Sequence, residues 1–189
     1  EARAKLQEEA RQVLGGRMPS LADLPNLKYT RLVMDETLRL YPPAWLTNRR
    51  AIEADEVEGY AIPAGAELTI SPYATHHDPA LWTDPFQFDP ERFTPERSAG
   101  RHRYAYIPFG AGPRVCIGNN FAIIEAQLIL AAAAQRSGSP ILVGFQFRFH
   151  PTLQKARQLI AEGAIGRILA ARVHFGEYLP AWHPWEDYR

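Results

Sequence analysis

Residues 109–118 read Phe109-Gly110-Ala111-Gly112-Pro113-Arg114-Val115-Cys116-Ile117-Gly118 and set the only cysteine of the chain among three glycines, just ahead of a long helical run. Glycine permits backbone conformations closed to other residues and lets a loop approach a flat ligand closely. Loop amides can point at a sulfur and moderate its charge. The positive end of the following helix, with Arg114 close by, suits a sulfur in its anionic, metal-binding form. Arg114 can also offer two parallel hydrogen bonds to a carboxylate, which lysine cannot. A free cysteine is most often a small packed hydrophobe; these neighbours point instead to a ligand. One thiol excludes an internal disulfide.

Working outward, Asn119 to Arg136 reads as a helix with Phe121, Ile124, Leu128 and Ala131 on one face. Residues 1–14 have helix-forming composition and stop at Gly15-Gly16. A helix over Leu27 to Leu40 shows Leu32, Val33, Leu38 and Leu40 as its apolar positions and ends at Tyr41-Pro42-Pro43. It carries Glu36 and Arg39, three apart and therefore on one face. Such pairs are usually solvated and contribute little. The Pro90-Glu91-Arg92-Phe93 segment offers a second arginine that could convert the pair into a buried network. Between these lie short extended runs, notably Ala66 to Ser71, with turn signals at Glu58-Gly59 and Pro63-Ala64-Gly65, so a small sheet is expected. The stretch from His77 to Arg97, dense in Pro, Asp and aromatics, reads as ordered but irregular.

The 189 residues carry 21 basic and 21 acidic side chains, so no overall field draws nucleic acid or anionic lipid. The longest apolar stretch, Phe121 to Ala134, is broken by Glu125 and Gln127 and falls short of the roughly 20 residues of a membrane span. No membrane segment is expected here, and any targeting segment would lie upstream of Glu1; a cytoplasmic location is the expectation. His76, His77, His174 and His183 lack metal-ligand spacing and read as structural.

In this order and spacing, Glu36-Thr37-Leu38-Arg39, Pro90-Glu91-Arg92-Phe93 and the 109–118 loop make residues 1–136 resemble the C-terminal half of cytochrome P450 enzymes. The resemblance implies a mainly α fold with small β-sheets, a partial form of that family's architecture. It implies haem b ligated by Cys116, which would donate electron density that favours oxygen–oxygen cleavage. It places Arg114 and Arg49, or its neighbour Arg50, on haem propionates, Phe109 near the proximal face, and Gly110 and Gly118 in the cofactor loop. Glu36, Arg39 and Arg92 become the structural motif, and Ala44 to Asn48 lies near the substrate pocket. The implied reaction is O2-dependent hydroxylation of a small organic substrate, with electrons from a reductase or ferredoxin-like partner. The family's central helix with its acid–alcohol pair has no counterpart in these residues, so no complete catalytic set is expected and the isolated chain is expected to be inactive.

After Arg136 the texture changes. Ser137-Gly138-Ser139-Pro140 reads as a junction, followed by a strand at Ile141–Phe149, a helix at Thr152–Glu162 and a strand at Arg167–Tyr178. The runs Val143 to Pro151, Ile160 to Gly166 and Phe175 to Tyr178 resemble the middle of NAD(P)-dependent dehydrogenases of the Gfo/Idh/MocA type. Residues 141–189 would then be a β-α-β fragment of such an enzyme, and the alternative function that of a sugar-type dehydrogenase fragment. No nucleotide-binding fingerprint accompanies it, because the third glycine would fall at Val115, and the Glu-Lys-Pro motif of that family is missing. NAD(P) binding is therefore not expected, and a chimeric, non-functional product joined at 137–140 is the remaining expectation.

Overall fold

A helix that is apolar on one stripe and polar on the other normally shows water its polar side. The helix here called α2, Lys28–Leu40, does not: every residue from Val33 to Leu40 is buried, Asp35, Glu36, Thr37 and Arg39 included. Such a helix must lie between other elements, and each of its buried polar groups needs a partner. The computed structural model describes residues 1–136, 151–164 and 166, and the chain divides into two units, Glu1–Phe145 and Gln146–Arg189.

In the first unit α1 (Ala2–Leu14), α2 and the C-terminal helix of the unit, Asn119–Arg136, pack on one another. Their core joins Leu6, Ala10 and Leu14 to Leu27, Val33 and Met34 and to Leu130, Ala131 and Ala134. Ala10 and Ala131 are wholly buried, and such small side chains let neighbouring helices approach closely. The Asn119–Arg136 helix buries Gln127, Leu130, Ala131 and Ala134, while Phe121, assigned to its apolar face by periodicity, is 71% exposed. Its first turn faces solvent beside the cysteine loop, so periodicity alone chose the wrong stripe there.

Each helix end has a chemical cause. Gly15 closes α1 in the left-handed conformation, at φ 56°, where a side chain would be strained, and its N–H donates to Arg11 O. The amino end of α2 is capped from another element: the Glu9 carboxylate of α1 accepts from the Tyr29 and Thr30 amides and from Thr30 Oγ1. Between α1 and α2 a 3-10 turn at Leu21–Asn26 carries a capping box of Ser20 and Asp23. Arg17 pairs with Asp23 and holds its carboxyl below the usual carboxylate range, helped by the Ser20 amide.

Four short strands follow α2. β1 (Thr47–Arg50) pairs antiparallel with β4 (Glu67–Ile70), setting Arg50 opposite Glu67. β2 (Asp55–Val57) pairs antiparallel with β3 (Tyr60–Ile62), and Glu58-Gly59 is the two-residue turn between them. Both turn residues have positive φ, 49° and 84°, as a turn matched to strand twist requires. α3 (Pro72–His77) then packs against α2, with Ser71 Oγ accepting from the Ala74 amide at its start. The segment to Arg97 is the expected ordered, irregular one: a 3-10 turn at Pro90–Phe93 and a short helix α4, Pro95–Ser98. The Asn119–Arg136 helix is α5. Among the described residues no helix is long and apolar enough to cross a membrane.

In the second unit the described element is α6, Pro151–Ala161, close to the helix expected at Thr152–Glu162. The junction at 137–140 and the strands expected at Ile141–Phe149 and Arg167–Tyr178 lie outside the described residues, as do His174 and His183.

Candidate functional site

Glu36 and Arg39 share a face of α2 because they stand three apart, and both are fully buried. Arg39 Nε donates to Glu36 Oε2 at 2.7 Å and Arg39 Nη2 to Oε1 at 2.9 Å, a bidentate pair. Arg92, 5% exposed on the Pro90–Phe93 turn, adds Nε to Glu36 Oε1 at 3.2 Å, and the Asp89 amide donates to the same oxygen at 2.8 Å. One carboxylate thus faces two guanidiniums in the protein interior. The remaining guanidinium protons go to main-chain carbonyls. Arg39 Nη1 reaches His76 O and Pro85 O, both at 2.7 Å, while Arg92 reaches Thr83 O, Asp84 O and Gln87 O. Arg39 also lies over the Trp82 ring at 5.1 Å. The network therefore holds the irregular segment against α2 by its backbone.

From this clamp the chain runs to the cysteine loop. Tyr106 Oη donates toward Asp35 Oδ1 at 3.0 Å and lies 3.1 Å from Asp35 O; burial first, then the Asp35 charge, raise its pKa above the usual tyrosine value. Its ring lies against those of Phe93, at 4.8 Å between centroids, and His76, at 5.4 Å. Next along, the Ile107 N–H donates to His76 Nε2 at 2.9 Å, while His76 Nδ1 lies 3.1 Å from Arg39 O. Burial lowers the His76 pKa to about 4, against the raising effect of the bond to the Arg39 carbonyl, so the ring is neutral near pH 7.

The loop itself is pinned at both ends. Gly110 N–H donates to Ile107 O at 3.0 Å and Cys116 N–H to Phe109 O at 2.9 Å. Gly110 has φ 73°, which a side chain would resist. A 3-10 turn at Gly112–Arg114 follows, and Asn119 N–H donates back to Cys116 O as α5 begins. The thiol is exposed. Next to it in the chain Val115 is exposed and Ile117 completely so, and Phe121, in the first turn of the 18-residue helix that follows, is exposed too. A Cβ on Gly118 would sit 3.8 Å from Cys116 Sγ, so the residue after Ile117 adds no bulk beside the sulfur.

A family model described as Cytochrome P450 matches residues 1–136. The chain belongs to the cytochrome P450 family. It is 46% identical over 152 residues to cyclooctatin synthase of Streptomyces melanosporofaciens, covering 80% of this chain and 33% of that protein. Over 133 residues it is 50% identical to cytochrome P450 4V2 of Rattus norvegicus, 69% of this chain and 25% of the relative. It is 43% identical over 136 residues to cyclooctat-9-en-7-ol 5-monooxygenase of the same Streptomyces, 72% of this chain and 30% of that enzyme. The chain thus spans a quarter to a third of the relatives it matches. The 152-residue match is longer than the 136 residues of the family model, so it runs past Arg136. These relatives favour the P450 reading and not the dehydrogenase alternative.

P450 membership implies haem, and the residues present fit it: an exposed sulfur for iron, apolar side chains for the macrocycle, and cations for its carboxylates. Glu36, Arg39 and Arg92 come together in one buried cluster, and Phe109, Gly110 and Gly118 form the loop around Cys116. Arg114 is exposed with no ion-pair partner among the described residues, as is Arg49, whose Nη1 reaches only Asn48 O at 2.8 Å. No motif in the sequence marks His76 or Tyr106 as part of the site. The only available signal was a histidine beside a proline-rich segment, which by itself gives no partner.

Proposed function

We propose that this chain is the haem-holding part of a cytochrome P450 monooxygenase, with Cys116 as the residue that would hold the iron of haem b. The observation that carries the reading is the exposed Cys116 thiol, set in a loop tied by hydrogen bonds to a buried ion cluster and flanked by exposed Val115, Ile117 and Phe121. Haem, when bound, supplies the oxygen-activating and electron-accepting chemistry. The protein's own share is positional. Phe109 O fixes the Cys116 amide; Arg114 and Arg49 would be cations available to haem carboxylates, and Val115, Ile117 and Phe121 would offer it apolar surface. The parent reaction is O2-dependent hydroxylation of a small organic substrate, with electrons delivered by a reductase or ferredoxin-like protein. The relatives named as a synthase and a monooxygenase support that reaction class.

The test is spectroscopic. The full chain reconstituted with haem and reduced under carbon monoxide is expected to give a thiolate-ligated signature, and Cys116→Ala to lose it. An unchanged signature in that variant would sink the assignment.

A further inference from the structure

The cysteine loop and the buried Glu36–Arg39–Arg92 cluster are separate in sequence, and the His76 side chain bridges them. His76 is wholly buried at the end of α3. It is held from both directions by Arg39, whose Nη1 donates to the His76 carbonyl at 2.7 Å while the ring nitrogen Nδ1 meets the Arg39 carbonyl at 3.1 Å. The other ring nitrogen meets the Ile107 amide at 2.9 Å. A carbonyl only accepts and an amide N–H only donates, so the two partners fix the ring chemistry: Nδ1 carries the proton and Nε2 carries the lone pair. From Ile107 the path continues through Ile107 O to the Gly110 amide and, one residue earlier, through Phe109 O to the Cys116 amide.

We infer that His76, as its neutral Nδ1–H tautomer, is the positioning residue that transmits the geometry of the buried ion cluster to the Cys116 loop. The coupling of the two segments stands on this chain's hydrogen bonds; its consequence for iron ligation rests on the haem-thiolate reading above. No other described side chain joins Arg39 and the loop by hydrogen bonds at both ends. Without the ring acceptor, the Ile107 N–H is left unpaired in a half-buried position, and the loop loses its fixed origin two residues before Phe109.

Nitrogen NMR of the full chain reads the tautomer directly: a protonated Nδ1 and an unprotonated, hydrogen-bonded Nε2 are expected, and a protonated Nε2 overturns the inference. Two variants separate coupling from simple folding. In His76→Asn the amide falls near the Nδ1 position and the acceptor for Ile107 is lost; amide exchange at Ile107, Gly110 and Cys116 is expected to speed up about tenfold, with Leu130 and Ala131 unchanged. In His76→Gln a carbonyl oxygen reaches the Nε2 position, and protection at the same three amides is expected to return in part. Equal loss at the loop and at Leu130, or no change at Ile107, defeats the proposal. With haem present, the thiolate-type carbon monoxide signal should fall in His76→Asn and recover in His76→Gln. If no variant and no wild-type protein gives that signal, the Cys116 reading fails, and the tautomer and exchange data still decide the coupling.

Discussion

At the scale of single residues, the most exacting position is Glu36. Its carboxylate is the counter-charge for two buried guanidiniums, so Glu36→Ala leaves Arg39 and Arg92 facing each other without one. Breaking a buried pair from one side typically costs about 3–5 kcal/mol, and urea denaturation of the first unit is expected to show a loss of that order. Tyr106→Phe removes a milder constraint, the hydroxyl bound at Asp35, and is expected to cost about 1–2 kcal/mol in the same measurement. His76 sets a pH dependence. In the unfolded chain a histidine titrates near 6.5, whereas burial lowers His76 to about 4. Between those values the unfolded state binds more protons, so stability rises with pH; the contribution is complete above the unfolded pKa and is lost as pH falls toward 4. At most it is roughly 3 kcal/mol, and the urea midpoint of His76→Gln is expected to vary less between pH 7 and pH 4 than that of the wild type. The Glu36, Arg39 and Arg92 cluster was legible, as was Cys116 as a candidate, because each belongs to a short motif with fixed spacing. His76 and Tyr106 were not, because their partners lie 31 to 71 residues away and no local pattern records such a pairing.

At the scale of elements, helices were read well where periodicity and punctuation agreed. Gly15 ends α1, and Tyr41 follows the last residue of α2. The strand read as Ala66 to Ser71 is Glu67–Ile70, and its partner β1 was not recognised, because Thr47–Arg50 is polar and mostly exposed and carries no alternation to read. The buried side of α5 departs from the periodic stripe at Phe121 for a related reason: an apolar side chain that the fold leaves exposed has the same apolarity as one in the core. The β2–β3 turn offers a clean test of backbone chemistry. Glu58 occupies a left-handed conformation that asparagine or glycine adopts more readily. Glu58→Asn is therefore expected to raise stability by up to about 1 kcal/mol, measured by thermal or urea unfolding; a loss would mean that the Glu58 side chain makes a contribution outweighing its backbone strain.

For the whole molecule, two kinds of surface stand side by side. The α1–α2–α5 core is packed and self-sufficient in its small and aliphatic side chains, while Val115, Ile117 and Phe121 near Cys116, and Trp45 before β1, face outward. Exposed apolar side chains next to a candidate ligand are what a binding surface requires. Adding haem to the full chain is expected to lower hydrophobic-dye fluorescence and self-association together, followed by fluorescence and sedimentation. Dye binding that is indifferent to haem would place the apolar surface outside the cofactor site.

The clamp on residues 83–87 has a consequence for how this segment can change over generations. Arg39 and Arg92 grip it through the carbonyls of Thr83, Asp84, Pro85 and Gln87, not through side chains, and a carbonyl is present whatever residue supplies it. Inheritance can therefore rewrite the outward-facing Thr83 and Gln87 while the grip stays the same, whereas Phe86 also keeps a ring contact with His77 at 4.9 Å. The backbone exception is Asp84, whose φ of 46° admits few successors beyond glycine and asparagine. The segment is a handle of fixed shape with an interchangeable surface, and variation in it will say little about the cysteine loop.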